Sequence, residues 1–231
     1  MADSCKLSAI SVDHAPAKCP TPVILTGRYV VLEPLNAEEH ADALWLLTKG
    51  AVNDSLWDYM SDGPYPRREE FYAAIERKAA GPDTRFFAIV DSASGQVAGY
   101  ASYMRIEPLH RCMEVGNILY APPLQRTRGA TEAMYLMARH AFDELGYRRY
   151  EWKCNALNAL SRRAALRFGF QFEGIFRQHM IVKGRNRDTA WFSMLDSEWP
   201  LRKSNFERWL DPSNFDANGR QIQSLSALNR R

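Results

Sequence analysis

A run of small and apolar residues at helical spacing, in residues 130–145, constrains this chain more than any other feature of its sequence. Its apolar positions follow the i, i+3, i+4, i+7 pattern of a helix with one buried face: 130, 133, 134, 137, 138, 141, 142 and 145. Gly146 follows the run directly, at a position where helices commonly end. Ahead of it, residues 113–121 have the composition of a strand that stops at Pro122 and Pro123. The pattern predicts a strand, a turn and a core-facing helix in succession.

The turn before this helix, residues 125–131, reads QRTRGAT and is polar, basic and small. The first N–H groups of a helix lack intrahelical acceptors and carry partial positive charge, so such a turn suits a phosphate group. An ordinary loop with a helix cap is the alternative. The residues of the turn alone leave both interpretations open.

Strand-like and helix-like segments alternate along the rest of the chain. The segments predicted as strands are residues 27–35, 85–91, 96–106, 113–121, 148–155, 171–184 and 187–195. The segments predicted as helices are residues 36–50, about 67–80, 130–145 and 158–170. Residues 92–96 (SASGQ) join two of the strands as a hairpin. The order β, α, α, β, β, β, α, β, α, β, β predicts an α/β protein with one mixed sheet.

The composition fits one soluble domain with two terminal segments. The chain has 231 residues, of which 46% are hydrophobic and 25% charged, enough for one sizeable core. Residues 1–24 are predicted to be a flexible leader, because they mix polar residues and proline without periodicity. Residues 25–199 form the predicted domain. Residues 200–231 are predicted to be a tail with one short helix and a loosely held polar end.

Charge, cysteine and histidine patterns argue against several classes of partner. The net charge is +3, but the basic pairs alternate with acidic residues, so we expect no nucleic-acid partner. No apolar run approaches the ~18 residues that cross a bilayer, so we expect no membrane association and a cytoplasmic location. The four cysteines lack C-x-x-C spacing, which predicts reduced thiols. The five histidines lack metal-ligand spacing, and no metal is expected.

Several motifs in combination resemble the GNAT acetyltransferase superfamily. They are the turn at residues 125–130, a strand that ends in Asn155, N-x-x-S at residues 158–161 and Gly-Phe at residues 169–170. With ATEA at residues 130–133, they most resemble the RimJ/RimL class, whose members acetylate amino groups. The resemblance spans residues 25–195. It implies a mixed, mostly antiparallel central sheet, splayed in the middle, with helices on both faces.

The resemblance also implies acetyl-CoA as the cofactor, with its diphosphate at the turn. The family motif Q/R-x-x-G-x-G/A aligns with Gln125 and Ala130, and Arg128 then replaces the central glycine; a shift of one residue aligns Arg126 with Gly129 instead. A helix cap is the alternative role for Asn158. The residues expected to contact the coenzyme are Gln125, Arg126, Thr127, Arg128, Gly129, Ala130, Thr131, Asn155, Asn158, Arg162 and, at the acyl carbonyl, Asn117, Ile118 and Leu119.

Two residues are candidates for the proton transfers. Glu114 lies eleven positions before Gln125, a spacing similar to that of the glutamate base in histone-acetylating members, although it could be an ordinary strand-edge carboxylate. Met180 occupies the position of the RimL-type glutamate. A water chain ordered by Glu114, or by Glu33 or Asp58, is therefore the alternative base.

A second candidate concerns the leaving thiolate. The tyrosine that many superfamily members use is replaced by Ala165, which leaves Ser161, the serine that matches the RimL class, as the proton donor. An ordinary first-turn serine is the alternative interpretation.

The resemblance implies that the acceptor is recognised by four aromatic residues: Trp57, Tyr59, Tyr65 and Tyr103. Core packing is the alternative role for at least half of them. The predicted function is direct transfer of an acetyl group to a primary amine: a protein N-terminus, an aminoacyl compound or a small amine. A longer acyl donor such as succinyl-CoA stays open because of Arg105 and Arg111. A non-catalytic acyl-CoA-binding module is the third interpretation. Residues 199–210 could dock on their own domain or on a second subunit, which leaves a homodimer open.

Overall fold

The computed structural model describes residues 15–230, whose backbone forms eight strands: β1 (Leu25–Thr26), β2 (Val30–Pro34), β3 (Arg85–Asp91), β4 (Val97–Glu107), β5 (Cys112–Tyr120), β6 (Arg149–Asn155), β7 (Gln171–Val182) and β8 (Arg185–Leu195). They make one sheet in the order β1-β2-β3-β4-β5-β6-β8-β7. β5 and β6 are parallel, and the other neighbouring pairs are antiparallel. The predicted mixed, mostly antiparallel sheet is confirmed, as is the β3–β4 hairpin.

Helices cover both faces of the sheet, as predicted: α1 (Ala37–Thr48), α2 (Arg68–Ala80), α3 (Arg128–Arg139), α4 (Ala159–Phe168), α5 (Trp199–Leu210) and α6 (Leu225–Leu228). On one face, α1 and α2 bury Leu44 and Phe71 against Tyr100 of β4. On the other face, α3 to α6 form a larger core that includes Met137 and Phe206. The second core therefore covers the middle of the sheet, while α1 and α2 cover the β2–β4 side.

The sheet is splayed between its two parallel strands. Cys112–Val115 of β5 pairs with Arg149–Trp152 of β6, and the pairing ends there. On its other side, β5 pairs with β4 through a bulge, because two steps along β4, from Tyr100 to Ser102, match three steps along β5, from Leu119 to Gly116. Beyond Val115, β5 thus presents an edge that no strand of residues 15–230 covers on the β6 side.

Two residues fix the start of α3 against β2. Gly129 packs so close to Val30 that a Cβ at this position would lie 2.7 Å from Val30 Cγ1, which only glycine tolerates without a shift. The buried carboxylate of Glu132 accepts the backbone N–H groups of Arg28, Tyr29 and Val30 at 2.9, 2.6 and 2.9 Å. The ATEA segment therefore anchors the helix to β2.

The helix predicted over residues 130–145 is interrupted near its end. α3 ends at Arg139, and a π-helical turn covers His140–Glu144 before Gly146, which has a φ of 77°. His140 is buried there beneath Tyr103 and stacks on its ring. Every position of the apolar stripe is buried, but residues 129–138 are buried all round, so the prediction of one buried face is too narrow. Spacing alone also does not distinguish an α-turn from a π-turn.

The predicted flexible leader is wrong for the part that the structure describes. The N–H of Ala17 donates to Pro108 O at 3.0 Å, and the N–H of Lys18 donates to Leu145 O at 2.9 Å. These backbone hydrogen bonds hold the segment against the domain without any side-chain periodicity. Residues 1–14 lie outside the described residues.

The helix predicted in the C-terminal segment is α5, but the prediction that the polar end after it is loosely held is wrong. α5 buries Trp199, Phe206 and Trp209 in the core beside α3 and α4, and α6 adds Leu225 and Leu228. These apolar side chains are separated by polar residues, so the segment reads as polar in sequence although one face is buried. Residues 199–228 dock on their own domain. Within residues 15–230, no helix has the length and apolar character needed to cross a membrane.

Candidate active site

Glu114 lies at the fork where β5 leaves β6. Alternation along β4 places Tyr100, Ser102 and Met104 on the face covered by α1, and Glu114 pairs with Met104 on that face. Glu114 also stands opposite Glu151 of β6, one residue before the parallel pairing ends. Its side chain therefore faces away from the core under α3 and into the cleft that opens where β5 and β6 separate.

The Glu114 carboxylate is buried between two cations. Its Oε2 lies 3.1 Å from Arg105 Nε and 3.2 Å from Lys153 Nζ, and the side chain is only 6% exposed. Burial raises the pKa of Glu114 above its ordinary value, and Lys153 and Arg105 lower it by less. A carboxylate with a raised pKa can take a proton from an amine more readily than a free glutamate can.

Lys153 is a site residue that the sequence analysis missed. Its Nζ lies 2.6 Å from Glu151 Oε2 and 3.7 Å from the centre of the Trp191 ring, with the side chain 3% exposed. The signal was present in the alternation of residues 149–155, which places Glu151 and Lys153 on one face of the strand. Lys153 holds Glu114 and Glu151 in place across the fork.

The bulge in β5 lies where the sequence predicted it, beside Gly116. Asn117 adopts a left-handed φ of 50°, and its Nδ2 donates to Ser102 Oγ at 3.0 Å. Ser102 Oγ in turn donates to Gly116 O at 3.3 Å. Ile118 is partly buried, and Leu119 contributes its side chain to the core under α1. The bulge changes the direction of the backbone N–H and C=O groups of Asn117–Leu119 at the splayed edge.

The turn at residues 125–131 forms the start of α3. Thr127 is the N-cap, and its Oγ1 accepts the N–H of Ala130 at 3.1 Å. Gln125 Nε2 donates to Tyr120 O at 2.9 Å, which fixes the turn to the end of β5. Arg126 has a φ of 61° and is exposed. The helix N-terminus therefore opens beside the unpaired edge of β5.

Two residues of this turn, Arg128 and Thr131, differ from the sequence interpretation. The Arg128 guanidinium lies 3.8 Å from the centre of the Phe215 ring and 5.7 Å from that of Tyr29, so it faces the C-terminal segment. Thr131 is buried, and its Oγ1 accepts a hydrogen bond from Arg167 Nη1 at 3.1 Å. Arg167 brings a second cation to the first turn of α3, and sequence spacing gave no signal for it.

A match to a protein-family model identifies the family of this chain. The model of the acetyltransferase (GNAT) domain matches residues 30–171, from β2 to the first residue of β7. The chain belongs to the GNAT acetyltransferase family. It is therefore an acyltransferase, as predicted, and its fork between β5 and β6 is the splayed seam that the resemblance implied.

Solved structures of GNAT proteins share the whole fold. A GCN5-related N-acetyltransferase from Brucella melitensis is 47% identical, with a TM-score of 0.91 over 94% of this chain and 98% of that one. A probable GNAT-family acetyltransferase from Chromobacterium violaceum is 40% identical, with a TM-score of 0.78 over 84% of this chain and 96% of that one. The putative ribosomal N-acetyltransferase YdaF of Bacillus subtilis is 27% identical over 75% of this chain and 93% of its own length. This GNAT chain is thus similar to a protein named as a putative ribosomal N-acetyltransferase.

In this GNAT chain, the predicted coenzyme residues Asn155, Asn158 and Arg162 and the predicted proton donor Ser161 all have structural hydrogen bonds at the end of β6 and the start of α4. Asn155 Oδ1 accepts the N–H of Leu157 at 2.9 Å, and Asn158 Oδ1 caps α4 by accepting the N–H of Ser161 at 3.0 Å. Ser161 Oγ accepts Trp152 Nε1 at 2.9 Å, which leaves the hydroxyl proton for another acceptor. Arg162 Nη1 donates to Ala156 O at 3.3 Å.

Of the four aromatic residues assigned to the acceptor, the structure contradicts Tyr103. It is fully buried under α3, and its hydroxyl donates to Met137 O at 2.7 Å. Trp57 is 1% exposed and packs edge-on against Tyr65, whose hydroxyl donates to Asp62 Oδ2 at 2.8 Å. Only Tyr59 among the four is exposed. Packing explains the other three, because large aromatic rings bury the most apolar area.

Two hydrogen bonds connect the segment between α1 and α2 to the opposite side of the cleft. Tyr59 Oη donates to Leu157 O at 3.3 Å, in the loop before α4. Lys183 Nζ, at the tip of the β7–β8 hairpin, donates to Trp57 O at 2.8 Å. The segment between α1 and α2 therefore contacts both the loop before α4 and the β7–β8 hairpin, across the cleft that contains Glu114.

The two carboxylates considered as alternative bases, Glu33 and Asp58, lie in different surroundings from Glu114. Glu33, Glu39 and His40 form the group of described residues whose spacing would suit a metal ion. His40 Nδ1 accepts the N–H of Asn36 at 3.0 Å, so its Nε2 donates to Glu33 Oε1 at 2.8 Å and no ring nitrogen is left for a metal. Asp58 is exposed at the end of a 3-10 turn.

The described cysteines are free thiols: Cys19, Cys112 and Cys154. Burial raises the pKa of Cys112 to about 12, and burial also raises that of Cys154. Neither buried thiol is activated as a nucleophile.

Proposed function

We propose that this chain transfers an acetyl group from acetyl-CoA to a primary amine by direct attack, without a covalent enzyme intermediate. The observation that carries the proposal is Glu114, a buried carboxylate with a raised pKa at the fork between β5 and β6. The fork lies next to the N-terminus of a long helix. The raised pKa values of the Cys112 and Cys154 thiols support direct attack.

The turn before α3 fits a diphosphate. The N–H groups of Arg128 and Gly129 are in the first turn of the helix, where no intrahelical acceptor is available. Arg126 is exposed on the same turn and adds a positive charge. We assign these groups to the coenzyme phosphates, and the unpaired edge of Asn117–Leu119 to the pantetheine arm and the acyl carbonyl. The coenzyme supplies the thioester that is attacked.

Glu114 acts as the general base in this proposal. The amine nitrogen forms a bond to the thioester carbon, the carbon–sulfur bond breaks, and the surplus proton of the amine passes to Glu114. Lys153 and Arg105 hold the carboxylate in position. A positioned base contributes roughly 10² to 10⁴ in rate.

Ser161 donates a proton to the departing thiolate. Its Oγ accepts the Trp152 indole N–H, and its hydroxyl is also within hydrogen-bond range of the Cys154 thiol, so its proton turns from Cys154 toward the departing sulfur. As the cap of α4, Asn158 keeps Ser161 in the first turn of that helix. Solvent then returns a proton to Ser161 and takes the proton held by Glu114, so the proton lost by the amine balances the proton gained by the thiol and both side chains return to their starting states.

We assign the acceptor to the amines that RimJ/RimL-like enzymes use: a protein N-terminal α-amine, an aminoacyl compound or a small amine. The similarity to a relative named a putative ribosomal N-acetyltransferase supports a protein terminus and a cytoplasmic reaction. Tyr59, exposed at the cleft, is the aromatic residue that we assign to acceptor contact.

A thiol-release assay tests the proposal. Purified protein is mixed with acetyl-CoA and a panel of small amines and short peptides, and mass spectrometry identifies the acetylated nitrogen. We expect free thiol and one acetylated amine per turnover. Binding of coenzyme A without thiol release from any amine would instead identify a non-catalytic acyl-CoA-binding protein.

A further inference from the structure

Two cations contact Glu114, and a third cation nearby, Arg187, has no role in the proposed chemistry. Arg105 and Lys153 contact the Glu114 carboxylate directly. Arg187, on β8, shares a strand face with Thr189 and with Trp191, whose ring lies under Lys153. The strand geometry therefore brings Arg187 to the same cleft.

Arg187 is a buried donor without an acceptor. Its Nε has no hydrogen-bond partner among the described residues. Burial lowers the pKa of Arg187; the charge of Glu114 opposes that shift, and Arg105 adds to it. Arg187 thus lies within electrostatic range of both, yet forms an ion pair with neither. A guanidinium in this state suits an anionic group that enters from outside.

The charges in the cleft leave room for that anion. Glu114 and Glu151 face three cations, and Glu151 is also held by Arg149 Nε at 2.7 Å. During turnover Glu114 takes up a proton, which removes one of the two negative charges. Burial lowers the pKa of His179, and the charges of Arg105, Arg187 and Lys153 lower it further, which disfavours a positive charge on its ring.

We propose that the cleft binds a carboxylate carried by one of the two substrates, close to the reacting atoms, and that Arg187 holds it together with Arg105. Arginine presents a planar pair of N–H groups that matches a carboxylate. Arg105 is 43% exposed, so it can reach an entering group. The inference rests on the proposed transfer reaction. The carboxylate has two possible sources, an acidic amine or a dicarboxylic acyl donor.

Two kinetic arms distinguish these sources. In the first, acetyl-CoA is combined with pairs of amines that differ in one carboxylate. The pairs are β-alanine against β-alaninamide, and seryl-aspartyl amide against seryl-asparaginyl amide. In the second, succinyl-CoA is compared with the uncharged butyryl-CoA, using one neutral amine. We expect the carboxylate compound to be preferred in one arm by about 10- to 100-fold in kcat/KM, mainly through KM.

The variants assign the preference to Arg187. Arg187→Gln should abolish it, while Arg187→Lys should restore part of it. Arg185→Gln is the matched control, because Arg185 is exposed two residues earlier on the same strand. Equal kcat/KM for the charged and neutral partners in both arms, or a preference that persists in Arg187→Gln, would overturn the proposal while leaving the transfer reaction intact.

A binding measurement covers the case in which no thiol is released. Succinate is titrated calorimetrically into the full-length protein in the presence of coenzyme A. Binding that is lost in Arg187→Gln and kept in Arg185→Gln supports the carboxylate site even if the proposed transfer fails. Absence of binding to the wild-type protein, or equal binding by both variants, would overturn it.

Discussion

Glu132 Oε2 in α3 accepts the backbone N–H of Tyr29 at 2.6 Å, and through it the helix that begins at the coenzyme turn is fixed to β2. The same carboxylate serves the N–H groups of Arg28 and Val30, so one side chain satisfies three consecutive donors. Gly27 makes room for it, since a Cβ there would lie 2.4 Å from Glu132 Oε2. The position of α3 therefore depends on a buried charge.

Glu132→Ala should be among the most destabilising single changes in the first turns of α3. It leaves three backbone donors without a charged acceptor, which we expect to lower the free energy of unfolding by at least about 3 kcal/mol. For a domain of this size, the melting temperature should fall by about 6 °C or more. Glu76→Ala, at an exposed position of α2, is the control and should change it little. A melting temperature of Glu132→Ala equal to that of Glu76→Ala would contradict the anchoring role.

Gly129→Ala should weaken coenzyme A binding by moving the helix start. The added Cβ meets Val30 Cγ1, and overpacking of this kind costs about 1–3 kcal/mol. The double variant Gly129→Ala with Val30→Ala removes that contact, so it should recover most of the affinity for coenzyme A even though the Val30 cavity lowers stability. Calorimetric titration with coenzyme A measures the effect. Failure of the second substitution to restore affinity would show that the clash with Val30 is not the cause.

Glu114→Gln should remove the acid limb of the rate profile. Burial raises the pKa of Glu114, and only the deprotonated form accepts a proton, so kcat/KM should rise with pH through a value above 4.5. The variant should lose about 10² to 10⁴ in rate and keep no titration in that range. Glu76→Gln is the control, since Glu76 is exposed on α2 and has no contact with the charged groups around Glu114. An unchanged profile in Glu114→Gln would remove Glu114 as the base.

Arg126 and Arg128 should respond differently to substitution. Arg126 is exposed on the turn, so Arg126→Gln should weaken coenzyme A binding about two- to fivefold, and less at high salt. Arg128 stacks on Phe215, so Arg128→Gln should lower the melting temperature and change the affinity less. Titration and thermal unfolding of both variants measure this. The opposite order of affinities would show that Arg128, and not Arg126, reaches the phosphates.

Much of the fold could be predicted because periodicity is a local property. The apolar stripe from residue 130 and the strand-like segment at residues 113–121 specify the unit that surrounds the fork, whatever the rest of the chain does. The tail was mispredicted because its few apolar residues become a buried face only when α3 and α4 are already in place. Burial there is a tertiary effect.

The site was less predictable, because bulges change which face a residue occupies. Arg105 and Asn117 adopt left-handed φ values of 48° and 50°, which break the alternation that sequence reasoning relies on. Tyr103, which the resemblance assigned to the acceptor, points into the opposite core because it alternates with Ser102 and Met104 along β4. Lys153 and Arg187 come from strands distant in sequence, so no motif signals that they converge on Glu114.

The four-residue pairing of Cys112–Val115 with Arg149–Trp152 has a consequence for how the molecule assembles. The strands before it and the strands after it are antiparallel and mostly joined by short connections, whereas the two strands of this pair are joined through the α3 crossover. Because contacts between distant residues form slowly, we expect this pair to close late in folding. We expect amide protons at this pairing to exchange earlier than those in the flanking hairpins. A molecule that lies across the fork touches both halves, and would therefore slow that exchange by binding only the assembled state.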